Sequence, residues 1–255
     1  LLTHGFHEII TYSFTSPASS DRIGLSADDP KRRHLRILNP LTEDFSVMRT
    51  TLVPGLMETA RYNLSRKNSN LKLFELKKVF LPQEGERLPK EVKFLTGLAM
   101  GFDRDAHWAF SPSPVDFYDM KGCVEDLLDI LQITGARLTQ AEDIPYLHPG
   151  KAARVVLDHE VLGVLGEVHP QISAHYEIQG KVYLFEMDFD KLVTWTREEK
   201  RFQTLPKFPA VYRDLSFVVD TALKAEEVIE VIRSFQQPVI EEIYLFDVYE
   251  GLPML

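Results

Sequence analysis

Between residues 71 and 187 the chain carries a series of short apolar or alternating runs, at 71–76, 78–81, 94–100, 152–157, 161–168 and 181–187. Runs of this length and composition read as strands. Strands with few helices between them must join as antiparallel neighbours, because a parallel pair needs a long crossover. The pattern therefore predicts an α+β fold on an antiparallel sheet with flanking helices, and argues against a doubly wound parallel one.

Two helices flank these runs. Over 52–65, Leu52, Leu56, Ala60 and Leu64 recur at i+4 with Pro54 in the first turn, where a missing N–H costs nothing. Over 116–133, Val124, Leu127, Leu128 and Leu131 share a stripe, and Cys123 lies on the same apolar side. Residues 8–14 and 35–38 read as further strands, and 22–34, with the basic run Lys31-Arg32-Arg33-His34, as a loop. The charged, proline-containing stretch 197–209 reads as a domain boundary. Beyond it, a strand at 215–219, a helix at 225–235 and a strand at 240–249 make a βαβ unit too small to close a core alone.

Charge and cysteine usage narrow the chemistry. With 29 Lys and Arg against 38 Asp and Glu, the formal net charge of −9 excludes nucleic-acid binding by bulk charge and demands a local basic patch for any RNA contact. Cys123 has no partner, so there is no internal disulfide and no CxxC knuckle; with no secretory or membrane-spanning signal, a cytoplasmic address follows. Leu1 at the start and the apolar Gly251-Leu-Pro-Met-Leu at the end read as cuts through a longer polypeptide.

Familiar catalytic motifs fail on inspection. There is no GxxxxGK[ST], GxGxxG or GxSxG. His7-Glu8 and His159-Glu160 begin like a zinc-protease motif, but Thr11 and Gly163 stand where the second histidine belongs. The remaining histidines are not spaced to supply the three or four convergent ligands of a zinc site, so no metal is expected.

Other stretches are too composed to be generic: Gly5-Phe6-His7-Glu8 to Phe14, Asn39-Pro40 through Leu56, Leu73-Phe74-Glu75-Leu76, Asp116 to Gly122, His148-Pro149-Gly150, Gly166-Glu167-Val168-His169-Pro170, Phe208-Pro209 with Arg213-Asp214-Leu215, and Leu245 to Tyr249. In this order they resemble the C-terminal part of the bacterial phenylalanine–tRNA ligase β subunit. The resemblance implies a non-catalytic class II aminoacyl-tRNA synthetase-like module over 1–200. A linker and a partial ferredoxin-like anticodon-binding βαβ domain follow over 201–255.

The resemblance also implies partners and sites. The family works as an (αβ)2 assembly in which α, using ATP and Mg2+, attaches phenylalanine to tRNA(Phe), with no membrane involved. Its first class II motif builds the dimer core, which places Asn39, Pro40, Met48, Arg49, Leu52, Pro54, Gly55 and Leu56 at a subunit interface. The alternative, that the stripe packs only on its own sheet, stays open. Catalytic relatives end in Gly-x-Gly-x-Glu-Arg; aligned on the helix start, Glu186 and Asp188 replace the glycines and Lys191 the arginine. Residues 71–80 carry Glu75 but no arginine. No catalytic residue and no bound cofactor are therefore expected in this piece. The rival readings are a catalytic class II ligase and a standalone RNA-binding module. Against the latter, residues 207–255 hold four basic and nine acidic side chains, a net −5, and no tRNA-contacting residue is assigned.

Overall fold

A computed structural model describes residues 1–196 and 207–249. The chain divides into two compact units, Leu1–Arg201 and Phe202–Leu255; most of the expected boundary at 197–209 lies outside the described residues.

The first unit is mixed α+β. In chain order it holds β1 (His7–Glu8), β2 (Phe14–Thr15), α1 (Ser19–Arg22), β3 (Val47–Met48), α2 (Val53–Ser65), β4 (Leu71–Leu81) and β5 (Lys90–Met100). Then come α3 (Phe117–Ile130), β6 (Arg137–Gln140), β7 (Leu147–Leu157), β8 (Glu160–Val168), α4 (Pro170–His175), β9 (Val182–Asp188) and α5 (Phe189–Trp195). Seven strands form one sheet in the order β1-β4-β5-β9-β8-β7-β6, and β2 pairs separately with β3. Every pairing in the large sheet is antiparallel except the two-residue parallel edge of β1 on β4.

The central strands are covered on both faces, which is why they read as near-continuous apolar runs. Leu98, Val182 and Leu184 face one core with Leu52, Leu56, Met57 and Ala60 of α2 and Ile172 of α4. Leu95, Ala99, Tyr183, Phe185 and Met187 face the other, with Met120, Cys123, Val124 and Leu128 of α3 and Leu192 of α5. Helix α3 starts on a capping box. The Asp116 carboxylate accepts from the amides of Tyr118 (2.7 Å) and Asp119 (3.1 Å), and Asp119 accepts from the Asp116 amide (2.7 Å).

Several elements differ from expectation. The runs 71–76 and 78–81 are one strand. Residues 8–14 are not a strand: only their ends pair, in β1 and β2. At 35–38 only Arg36 bridges, to Val47. Strand β6, whose burial barely alternates, was not visible in the sequence pattern.

In the second unit the helix is present as α6 (Ala225–Ser234), with Val228, Ile229 and Ile232 half-buried along one side. The expected strands at 215–219 and 240–249 are not strands among the described residues. A strand exists by virtue of its partner's hydrogen bonds, whatever its own propensity. Here Leu215, Phe217, Tyr244 and Phe246 remain more than half exposed.

Candidate functional site

The register of the sheet places three polar side chains side by side in one apolar face. Glu75 of β4 pairs with Thr96 of β5, and Thr96 with Glu186 of β9. All three are essentially buried. A carboxylate removed from water must be paired and hydrogen-bonded or it will neutralise. Both glutamates are paired.

Glu186 is met from three directions. Lys31 Nζ donates to one oxygen at 2.9 Å, Tyr146 OH to the same oxygen at 2.9 Å, and Thr51 Oγ1 to the other. Burial alone would raise the Glu186 pKa; the Lys31 charge, with the Thr51 and Tyr146 hydroxyls, outweighs it and holds the carboxyl below its ordinary 4.5. Burial likewise pulls Lys31 down, but Glu186 and Tyr146 raise it on balance. The pair is ionised at neutral pH. Lys31 lies in a 3-10 turn, Pro30–Arg32, within the stretch expected as loop, and its position is fixed by Thr50 Oγ1 donating to the Lys31 carbonyl at 2.5 Å.

Glu75 has its own cation. Arg49 Nη1 donates to Glu75 at 3.2 Å and to Thr11 Oγ1 at 2.9 Å, while its Nε donates to the Lys78 carbonyl at 3.1 Å. Thr11 in turn donates its amide (2.9 Å) and hydroxyl (2.8 Å) to the Glu75 carboxylate. Between the two clusters the Thr96 hydroxyl makes no hydrogen bond among the described residues.

The three residues aligned with the nucleotide motif do not form one site. Glu186 is in the buried cluster. Asp188 accepts from the Lys191 amide at 3.1 Å and caps α5, its pKa raised by burial. Lys191 Nζ donates to the Val161 carbonyl at 2.8 Å and pairs with Glu160 at 3.3 Å. Thus the chain's own Lys31, Thr51 and Tyr146 supply three of the roughly four hydrogen bonds that the Glu186 carboxylate can accept. None of these three is signalled by local spacing; Lys31 lies 155 residues from its partner.

The candidate interface residues also part company. Arg49, Leu52, Pro54 and Leu56 are buried within the chain's own core, Met48 and Gly55 are half-buried, and Asn39 and Pro40 are exposed. Beside the last two in sequence is an exposed apolar strip, with Leu38 and Leu41 96% and 97% exposed and Phe45 40%; Tyr12 stands edge-on to Phe45 at 5.5 Å.

Other chemistry-bearing side chains are quiet. Burial pushes the Cys123 thiol up to about 11, so it is no nucleophile at neutral pH. His148 Nδ1 accepts from the Gly150 amide (3.1 Å) and His169 Nδ1 from the Gln171 amide (3.2 Å), which closes turns. Among the described residues no group of three or more His, Cys, Asp or Glu is placed to hold a metal ion. No described helix is long and apolar enough to cross a membrane.

Comparison with known proteins adds the following. Residues 1–189 match the family model described as phenylalanyl tRNA synthetase beta chain CLM domain, and residues 206–254 match the ferredoxin-fold anticodon binding domain. The chain is 43% identical over 247 residues to the phenylalanine–tRNA ligase beta subunit of Carboxydothermus hydrogenoformans, and 41% identical over 251 residues to that of Syntrophotalea carbinolica. These alignments cover 97% and 98% of the chain but 31% of each relative, so the chain spans about a third of their length. Among solved structures, pyrrolysyl-tRNA synthetase from Desulfitobacterium hafniense superposes with a TM-score of 0.56 at 15% identity, covering 76% of this chain and 64% of that one. At that identity the likeness is one of fold.

Proposed function

The chain belongs to the phenylalanyl tRNA synthetase beta chain CLM domain family, and from that membership we propose that it is a non-catalytic, class II-like scaffold in a phenylalanine–tRNA ligase. In this reading it supports an α subunit, within an (αβ)2 assembly, that uses ATP and Mg2+ to attach phenylalanine to tRNA(Phe) in the cytoplasm. Residues 1–200 form the scaffold. Residues 201–255 carry part of an anticodon-binding ferredoxin-like domain, through which the whole β subunit contacts tRNA. The observation that carries the reading is the closed Glu186 cluster. A nucleotide or amino-acid site needs free donors facing a cavity, whereas here Lys31, Thr51 and Tyr146 already donate to a carboxylate. That carboxylate stands where a catalytic relative carries a glycine.

Contact with α is assigned to the exposed apolar strip around Asn39 and Pro40, with Leu38, Leu41 and Phe45 as its anchors. A contiguous exposed apolar patch, unlike scattered single side chains, is typical of surfaces that dock a partner. Co-expression with the cognate α subunit tests this. The chain is expected to co-purify with α, and Leu41→Asp to abolish the complex while leaving the thermal midpoint unchanged. Loss of folding in that variant, or an intact complex, would place the contact elsewhere.

A further inference from the structure

Residues 31–36, Lys-Arg-Arg-His-Leu-Arg, hold four cations and no carboxylate in a chain of net charge −9. These cations have different fates. Lys31 is committed to Glu186, and Arg33 reaches Glu84 at 3.3 Å in an exposed pair worth little. Arg32 is braced: Nε and Nη2 both donate to the Leu25 carbonyl, at 3.0 and 2.7 Å, and Nη2 also to Asp21 at 2.5 Å. Arg36 is different. Its backbone bridges to Val47, but its exposed guanidinium makes no hydrogen bond or ion pair among the described residues.

Arg32, His34 and Arg36 line a cavity of about 380 Å³ with apolar Pro17 and Val47 and one acid, Asp21. Asp21 is already bound to Arg32, which leaves Arg36 as uncompensated positive charge. His34 engages Ser20 Oγ at 2.8 Å. Burial, helped by the Arg32 charge and opposed by the nearby Met48 carbonyl, lowers its pKa, so it is a neutral wall at pH 7. A guanidinium fork free to approach an anion beside a second one held in place is a fit for phosphate. The cavity opens broadly to solvent and is at the small end of ligand pockets, which run from roughly 300 Å³ upward.

We propose that this cavity binds a phosphate ester, Arg36 being the principal donor and Arg32 the second, and that the ester is one nucleotide unit of an RNA strand. The choice of RNA rests on the synthetase-scaffold reading above. The ester site itself does not.

The test uses the whole chain with a labelled single-stranded RNA, read by fluorescence anisotropy over a range of salt. In parallel, AMP and inorganic phosphate are titrated, and complex formation with α is scored on the same variants. Arg36→Ala should weaken RNA binding about fivefold or more and lower the salt slope by about one. Lys67→Gly, which removes a cation at a left-handed position suited to glycine, should leave it unchanged. AMP should displace the RNA from the wild type. Equal RNA affinity for wild type and Arg36→Ala, or no RNA binding by the wild type, overturns the RNA site even if α still binds. Arg36-dependent binding of AMP without RNA upholds the ester site and removes the strand. An Arg36→Ala variant that loses α but not RNA would show that the cavity holds a protein carboxylate. Loss of α by the wild type with Arg36-dependent RNA binding intact would instead sink the scaffold reading and spare the cavity.

Discussion

Lys31 sits in a single 3-10 turn, Pro30–Arg32, yet its ammonium determines whether a charge can stay in the sheet. Replacing it with methionine leaves Glu186 buried with two hydroxyl donors and no cation, a loss of about 3 kcal/mol or more. The pH dependence gives the effect a sign. In the wild type Glu186 titrates below its ordinary 4.5, so its contribution is present above that value and disappears as pH falls through the lower folded one. In Lys31→Met the isolated carboxylate titrates above its ordinary value, so acidification relieves the penalty. Denaturant unfolding should therefore show a wide gap between variant and wild type at pH 7 that narrows toward pH 4. A gap independent of pH would mean that Lys31 acts by packing alone. Gly166 poses a different constraint. A Cβ there would lie 2.6 Å from the Lys151 carbonyl oxygen and 2.9 Å from the Ala152 Cα, both backbone atoms of the neighbouring strand. Gly166→Ala should cost about 2 kcal/mol and lower the thermal midpoint by roughly 4–8 °C. A midpoint within a degree of wild type would show that β7 can move away.

At the scale of elements, the segments legible in the sequence were those whose cause is local. Helix α3 carries its own start signal in Asp116 and Asp119 and its own stripe, and α2 carries Pro54 and its i+4 repeat. Asp116→Ala should remove the cap and cost about 1 kcal/mol, read as a lower unfolding midpoint; no change would mean that the helix start is held by packing of Met120 and Val124. What stayed hidden depends on distant partners. The residues 8–14 look like a strand because they are rich in β-branched and aromatic side chains, but the amide and hydroxyl of Thr11 are engaged by the Glu75 carboxylate, not by a ladder. Glu75 has no arginine beside it within 71–80; its arginine comes from residue 49, a position that the resemblance places at an interface. The two runs at 215–219 and 240–249 carry strand composition without strand hydrogen bonds among the described residues. Amide exchange should accordingly be fast in those two runs and slow in β8 and β9, where ladders bury the amides. Slow exchange in both runs would show that they have found partners in solution.

For the molecule as a whole, the issue is whether a sheet that superposes on a synthetase retains a synthetase's ligands. Catalysis in such a fold needs a nucleotide polyphosphate lying against backbone, with cations free to offset its charge. On the proposed reading β9 is the strand aligned with the nucleotide motif; it carries Glu186 and Asp188, and the cations near it are committed: Lys31 to Glu186, Arg49 to Glu75, Lys191 to Glu160 and the Val161 carbonyl. Bringing in a polyanion would require breaking a buried ion pair and placing phosphate beside a freed carboxylate. Each step is unfavourable by kcal/mol amounts at reduced dielectric. Isothermal titration of ATP-Mg2+ and of phenylalanine into the chain is therefore expected to show no stoichiometric binding at micromolar affinity. The Arg36 cavity is distinguished in the same experiment, because an Arg36→Ala variant removes any weak heat that comes from phosphate there. Micromolar ATP binding that survives Arg36→Ala, or micromolar phenylalanine binding, would mean that the Lys31–Glu186 pair opens, and would return the chain to the catalytic class.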